Sequence, residues 1–353
     1  MHPGYLTLLL PLIFCTCVLA PQEEPDVAAL PKITVEKYYA GIELTTDGAQ
    51  AAVVGVGKDT AGDKGYEVVR YLDVRGETDY LRDGELTSEE VETVLSALTE
   101  LQSSIEGGDK PITATYAVTS SEYETAGQGE ALRRAVAKQH PNWRVAANTP
   151  TLEAKANFYT MLGRSDIPFE ETILVDIGGS NTIFSVLDSA RVSAVRLDYG
   201  SRNIRELVDP IYQLNARREW QRIRLQQLVR DSVSGPVRRV LSRPAFARRH
   251  RFVFMGGLVY KIIKTLDVPL NGRPIDFSEA SAAELPARIR DLLLSKNVDL
   301  SASPSYTPSE LYAALVYLET ITRQASRQDA AYFFERRTWL PGYILAQLEV
   351  ASK

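Results

Sequence analysis

Cysteine is nearly missing from this chain of 353 residues, and the two present, Cys15 and Cys17, both fall within the first 20. Everything after them is therefore without a disulfide and without a thiolate metal site. Histidine is almost as scarce. His2, His140 and His250 lie far apart, so no pair has metal-ligand spacing. A strong charge of one sign is absent too: 45 acidic and 40 basic side chains leave a net charge of −5, which gives no support to bulk binding of DNA or RNA. Apolar residues make up 44% and charged residues 24%, an ordinary globular balance that excludes a disordered, collagenous or polytopic membrane chain. A prior of roughly 150 residues per domain suggests two domains.

The one long apolar run is Leu6 to Ala20, LTLLLPLIFCTCVLA, 15 residues without a charge. As a helix it would reach about 22 Å, short of a hydrocarbon core of about 30 Å. That length fits the apolar region of a secretory signal, and Val18-Leu19-Ala20 offers small residues at a cleavage site. Against this, the preceding MHPGY has no Lys or Arg, and Pro21 follows the cut. Residues 1–20 are expected to be a signal peptide or lipoprotein signal, with soluble release and a lipid anchor through Cys15 or Cys17 as alternatives. The expected location is exported, either periplasmic or membrane-anchored in the cell envelope. The Pro-rich stretch 21–32 reads as a linker.

Two later segments share one grammar. Residues 39–56, YAGIELTTDGAQAAVVGV, form an apolar run, a polar turn and a second β-prone run; residues 172–187, TILVDIGGSNTIFSVL, repeat it. Each reads as strand, acidic residue, tight turn, strand, with Glu43 and Asp176 as the acids. Between them, Thr87-Ser-Glu-Glu90 forms a capping box that opens a helix with Val91, Val94, Leu95, Leu98 and Leu101 on one stripe. A strand over Ile112–Val118, a helix near Glu130–Lys138, a short strand at Arg144–Ala147 and a helix over Leu152–Leu162 follow. Beyond the second hairpin, Val192–Leu197 reads as a strand, Ile204 to Leu241 as helix interrupted near Ser234-Gly235-Pro236, Arg251–Met255 as a strand ending in Gly256-Gly257, and the remainder as mostly helix. The expected fold is α/β: two actin-like (ribonuclease H-like) domains, 33–162 and 163–353, with duplicated β-hairpin phosphate loops facing an interdomain cleft.

The order of segments resembles the exopolyphosphatase/guanosine-pentaphosphate phosphohydrolase family (Ppx/GppA), a branch of the actin-like ATPase superfamily. Residues 39–56 resemble its first phosphate hairpin. Val69-Arg-Tyr-Leu-Asp-Val-Arg-Gly and Leu86-Thr-Ser-Glu-Glu-Val resemble the strand and helix after it. Thr115-Tyr-Ala-Val-Thr-Ser-Ser-Glu-Tyr-Glu-Thr-Ala resembles "A-T-S-A-x-R-x-A". Asn148-Thr-Pro-Thr-Leu-Glu-Ala-Lys resembles "I-S-G-x-E-E-A-R", Leu174-Val-Asp-Ile-Gly-Gly-Ser-Asn-Thr resembles "V-D-I-G-G-G-S-T-E", and Phe254-Met-Gly-Gly resembles the closing glycine turn. The resemblance implies Glu153 as general base and Glu43 and Asp176 as holders of Mg²⁺. It implies a phosphate cradle made by Thr45, Thr46, Gly178, Gly179, Ser180, Asn181, Thr182, Gly256 and Gly257. The implied partner is a phosphate-containing anion, polyphosphate or a nucleotide; a homodimer and a membrane tether through the N-terminus are further expectations.

The departures from that pattern concern charge. Thr45 stands where the first hairpin has glycine, and Asp47 where it has an amide. Tyr123 aligns with the arginine that pairs with substrate phosphate, and Ile183 with the glutamate after the second turn. Arg133 and Arg134 are candidate replacements. The alternative reading is a catalytically impaired polyanion-binding or envelope scaffold module, and a weaker one is an actin-like filament or pilus-assembly component. The segment 202–251 holds 13 Arg against 4 acids, which suits a polyanion, a lipid surface or, on the plainest reading, solvated helix faces with internal ion pairs.

Overall fold

A computed structural model describes residues 32–45, 48–75, 86–125, 127–161, 167–188, 191–201, 203–204, 219–259, 275–276, 308–325, 330–335 and 338–351. The expected signal segment, most of the expected linker, Thr46, Asp47 and residues 205–218 lie outside these. The first sheet is built on the expected hairpin strands, β1 (Thr34–Thr45) against β2 (Gly48–Lys58), with Thr45 opposite Gly48. β3 (Lys64–Arg75) extends it antiparallel. Helix α1 (Ser88–Glu106) then carries the chain to β4 (Ile112–Thr119), which is parallel to β1, as a helical crossover requires. The capping box forms as read: Thr87 accepts from the Glu90 N–H, and the Glu90 carboxylate accepts from Thr87. Val94, Leu98 and Leu101 bury against Ala40, Ile42 and Leu44 on one face of the sheet. The short α2 (Ser121–Thr125), α3 (Gly129–Gln139) and β5 (Arg144–Ala147) complete a five-stranded sheet of order β3-β2-β1-β4-β5.

Helix α4 (Pro150–Thr160) leads into the second sheet. β6 (Thr172–Ile177), β7 (Thr182–Asp188) and β8 (Arg191–Leu197) repeat the antiparallel meander. After α5 (Glu219–Leu241) and the short α6 (Pro244–Ala247), β9 (Arg251–Met255) joins parallel to β6. The expected break at Ser234-Gly235-Pro236 does not occur, and α5 runs through Pro236. Its buried stripe Val229, Val233, Val237 and Val240 lies against the sheet and α7 (Pro308–Gln324), and that burial outweighs the lost hydrogen bond. Two strands stand where the C-terminal part reads as helix: β10 (Ile275–Asp276) and β11 (Ala331–Phe334), which gives the order β10-β11-β9-β6-β7-β8.

The last helix, α8 (Leu340–Ala351), returns to the first sheet. Trp339, Leu340, Tyr343 and Ile344 pack with Tyr39, Ala52, Val54, Tyr116 and Ala156. Helix α8 thus lies on the first sheet and on α4, while α4 packs across β6, β7 and β8. The two helices form the layer between the sheets. Among the described arginines of the Arg-rich segment, Arg230 pairs with Glu319, Arg251 with Glu171, and the buried Arg249 donates to the carbonyls of Phe169, Leu187 and Ala245.

Candidate active site

Glu43 is two residues before the tip of β1 and points to the α8 side of its sheet. Its cross-strand neighbour Gln50 donates to Oε2 at 2.6 Å, and the Trp339 indole N–H donates to the same oxygen at 3.1 Å. Asp176 is one residue before the end of β6 and points to the α4 side. Asn157 Nδ2 donates to its Oδ2 at 2.9 Å. Glu153 lies in the first turn of α4, a helix started by the Thr149 cap and Pro150, where the helix dipole favours a carboxylate. Asn148 Nδ2 donates to Glu153 Oε2 at 2.6 Å. Glu153 and Asn157 are four residues apart and so share one helix face.

The three carboxyls are all buried, at 8%, 6% and 3% exposure for Glu43, Glu153 and Asp176. Burial pushes Glu43 up to about 7, against the pull of Gln50 and Trp339, and Asp176 up to about 6. Burial also pushes Glu153 well above the usual carboxylate range, helped by the charges of Asp176 and Glu43 and opposed by that of Arg196. The carboxyls of Glu43 and Glu153 both feel the charge of Asp176, so the two hairpins and α4 place these acids within electrostatic reach of one another. In the folded state these groups hold protons that the unfolded chain releases near pH 4–5, so ionising them opposes folding. With metal removed, stability is expected to fall by a few kcal/mol between about pH 4.5 and pH 7, as urea melts across that range would show. A stability that rises with pH there would mean that the carboxyls are compensated.

Oxygen donors with no thiolate or imidazole suit Mg²⁺. The Asn148 and Asn157 Oδ1 atoms are buried without a partner among the described residues, a second sign of a polar occupant. Among the described residues no three His, Cys, Asp or Glu side chains converge tightly enough to encase an ion. The oxygen donors of Glu43 and Asp176 are of the chemical kind that Mg²⁺ takes.

The second hairpin turn spans Gly178, Gly179, Ser180 and Asn181. Gly178 N–H donates to Asn181 O at 2.9 Å, and Gly178 O accepts from Ser201 N at 3.0 Å. Gly200 is seated against the turn, where a Cβ would lie 2.6 Å from Asn181 N. Asn181 Nδ2 donates to Ser121 Oγ at 2.6 Å, which ties the second hairpin to the start of α2, just after β4 of the first sheet. The Ser180 hydroxyl and Asn181 Oδ1 have no partner among the described residues. Thr182 is placed differently from a phosphate donor. Its hydroxyl faces the core and is shared between Tyr199 O at 2.8 Å and Tyr317 OH at 2.7 Å. Gly256 supports Asp176: at φ +95°, a Cβ there would overlap Asp176 Oδ1. Among the described residues a Cβ on Gly257 would meet nothing within 4 Å.

The first turn shows the effect of the substitutions. Tyr123 is fully buried and donates to Thr45 O at 3.2 Å, so it props the hairpin from the position expected for arginine. Arg133 does not replace that arginine: its guanidinium is held by Glu124 and Thr119. Arg134 pairs with Glu130 on the surface. Ile183, directly opposite Asp176, contributes an apolar wall. The partners Gln50, Asn148, Asn157, Ser121, Gly200 and Trp339 were not singled out from sequence. Asn157 was within reach as the i+4 neighbour of Glu153, and Gly200-Ser201 as a turn signal after a strand. Nothing local marks Trp339.

No family model and no curated protein matches the chain. Solved structures do. A Ppx/GppA family member from Aquifex aeolicus superposes with a TM-score of 0.62 at 13% identity, covering 90% of this chain and 99% of that one. An exopolyphosphatase from Cytophaga hutchinsonii ATCC 33406 gives 0.65 at 14% identity, covering 89% and 98%. At such identities the likeness concerns architecture. With paired hairpins, closing glycine turn and helices between the sheets all in place, the chain has the actin-like α/β fold in the form shared by the Ppx/GppA exopolyphosphatases.

Proposed function

We propose that the chain is a slow, Mg²⁺-assisted phosphoanhydride hydrolase acting on polyphosphate or a phosphorylated nucleotide. The observation that carries this reading is the convergence of Glu43, Glu153 and Asp176, each from a different element and each holding its own amide or indole donor. Three buried, mutually repelling carboxyls cost stability, and a chain that used the fold only as a scaffold would gain by losing them. In this reading Glu153, oriented by Asn148, takes a proton from a water that attacks the terminal phosphorus. The bridging P–O bond breaks, and a chain one phosphate shorter leaves. The turn 178–181 would supply N–H groups to phosphate oxygens, and Glu43 and Asp176 would hold the ion. Bound Mg²⁺ would neutralise charge on the phosphate oxygens.

The buried Tyr123 and Ile183 favour a second reading, a polyanion-binding module with little turnover. Each lost electrostatic contact commonly costs 10²–10³ in rate. The full chain incubated with tripolyphosphate and Mg²⁺ separates the two. Phosphate release that Glu153→Ala abolishes supports the hydrolase; thermal stabilisation by tripolyphosphate without release supports the binding module.

Export remains part of the proposal, supported by the charge-free run from Leu6 to Ala20, which also allows a membrane tether. Among the described residues no helix is long and apolar enough to cross a membrane.

A further inference from the structure

One strongly charged surface takes no part in the site. We propose that the edge of the second sheet farthest from its hairpin tip is a docking surface for anionic lipid headgroups, made by Arg191, Arg238, Arg239, Arg243 and Arg248. The proposal is independent of the hydrolase reading; its choice of lipid as partner rests on the membrane tether considered above.

The chain order brings these residues to one edge. β6 and β9 are parallel, with Thr172 opposite Arg251 at their starts and Asp176 opposite Met255 at their ends. The starts therefore lie one length of β9, about 13 Å, from the Asp176 end. The segments that lead into β9 gather there: Arg238 and Arg239 are in the last turn of α5, Arg243 is the N-cap of α6, and Arg248 is its C-cap. The buried Phe246 seats α6 in the core between the last two. Arg191 opens β8 at the same edge, opposite Asp188 at the end of β7. The buried Arg249 fastens the parts, since its guanidinium donates to the carbonyls of Phe169 before β6 and Leu187 in β7.

All five arginines are exposed, and among the described residues none is paired with a carboxylate. Arg238 Nε donates to the neutral Gln324 Oε1 at 3.2 Å. The acids of this edge answer other cations: Asp188 faces Arg249 at 3.8 Å, and Glu171 takes both Arg251 and His250. Glu170 is exposed beside Glu171, and the nearest acid on α5 is Asp231, two turns back from Arg238. Between Arg238 and Arg248 the exposed side chains besides arginine are Ser242, Pro244 and Ala247, so no acid there repels an anion. Such a strip on a chain of net charge −5 is complementary to an anionic surface, and each guanidinium can grip a headgroup phosphate with two parallel hydrogen bonds. The distance from the cleft separates it from a phosphate held beside Asp176. Residues 21–32, fully extended, reach about 40 Å. A chain tethered through Leu6–Ala20 can therefore lay this edge on the same membrane, and an apolar tether joined to a basic patch is the two-signal combination that makes anchoring stable.

The test is sedimentation of the full chain with vesicles of phosphatidylcholine alone and of phosphatidylcholine mixed with phosphatidylglycerol, at low and high salt. Binding to the neutral vesicles reports the apolar run; the gain on the anionic ones reports the arginines. Wild type is expected to prefer the anionic vesicles and to lose that preference at high salt. Arg238→Gln, Arg239→Gln, Arg243→Gln and Arg248→Gln combined should weaken anionic-vesicle binding at least about 100-fold, since each arginine near such a surface is worth about fivefold. The same four positions changed to lysine should keep most of the binding. Equal affinity of wild type for the two kinds of vesicle overturns the proposal without any variant, so a variant that fails to fold does not shield it. A preference that persists in the four-glutamine variant also overturns it. An arginine-dependent preference supports it whether or not the neutral vesicles bind and whether or not the protein releases phosphate.

Discussion

Glu153→Gln is expected to lose phosphate release by about 10²–10⁴-fold and to melt at a higher temperature than wild type at pH 8. Both effects come from one environment. Glu153 is 6% exposed and feels the charge of two other acids, so its ionised form, the proton acceptor in the proposed reaction, is also a burden on the fold. Glutamine has the same shape, can accept from Asn148 through its Oε1, and carries no charge. As the pH falls and the raised Glu153 carboxyl takes up its proton, the gain in melting temperature should shrink toward zero. A variant that melts lower at pH 8 and still releases phosphate would remove Glu153 from both roles.

Gly342→Ala is expected to be the most damaging added methyl among the described glycines. Gly342 is in α8 at its closest approach to α4. A Cβ there would overlap the Ala156 carbonyl oxygen and lie 2.5 Å from Thr160 N, and the Gly342 N–H itself donates to Thr160 Oγ1 at 3.0 Å. All of these are backbone or held side-chain atoms, so no flexible side chain can yield. The cost belongs at or above the upper end of about 1–3 kcal/mol for overpacking. Because α4 carries Glu153 and Asn157, and Trp339 just before α8 carries a donor to Glu43, the same change should loosen the site. Urea unfolding gives the first effect and Mg²⁺ affinity the second. A variant as stable as wild type would mean that the two helices lie farther apart.

The first half of the fold was readable because its signals are local. A strand ending in an acid and a tight turn appears at Glu43 and again at Asp176, and Thr87 with Glu90 marks a helix start that forms as written. The C-terminal half was harder to read for physical reasons. Pro236 signals a break, but buried valines one and two turns apart on either side hold α5 together. Ala331–Phe334 is too short to show a period and becomes a strand only because β9 is there to pair with it. At the site, the acids were legible and their donors were not. Trp339 meets Glu43 across 296 positions, a contact fixed by packing alone. Thr182 and Thr45 show the converse: the hydroxyl of one turns into the core, and the carbonyl of the other is held by Tyr123.

The central claim is that Glu43 and Asp176 bracket a divalent ion and a phosphate in one gap between the sheets. Phosphorus relaxation in tripolyphosphate bound to the Mn²⁺-loaded protein reads that distance directly. The account predicts strong, saturable broadening of one phosphorus signal that is lost when Glu43→Gln and Asp176→Asn are combined. Broadening unchanged in that double variant, or tripolyphosphate bound with no effect from Mn²⁺, would contradict it.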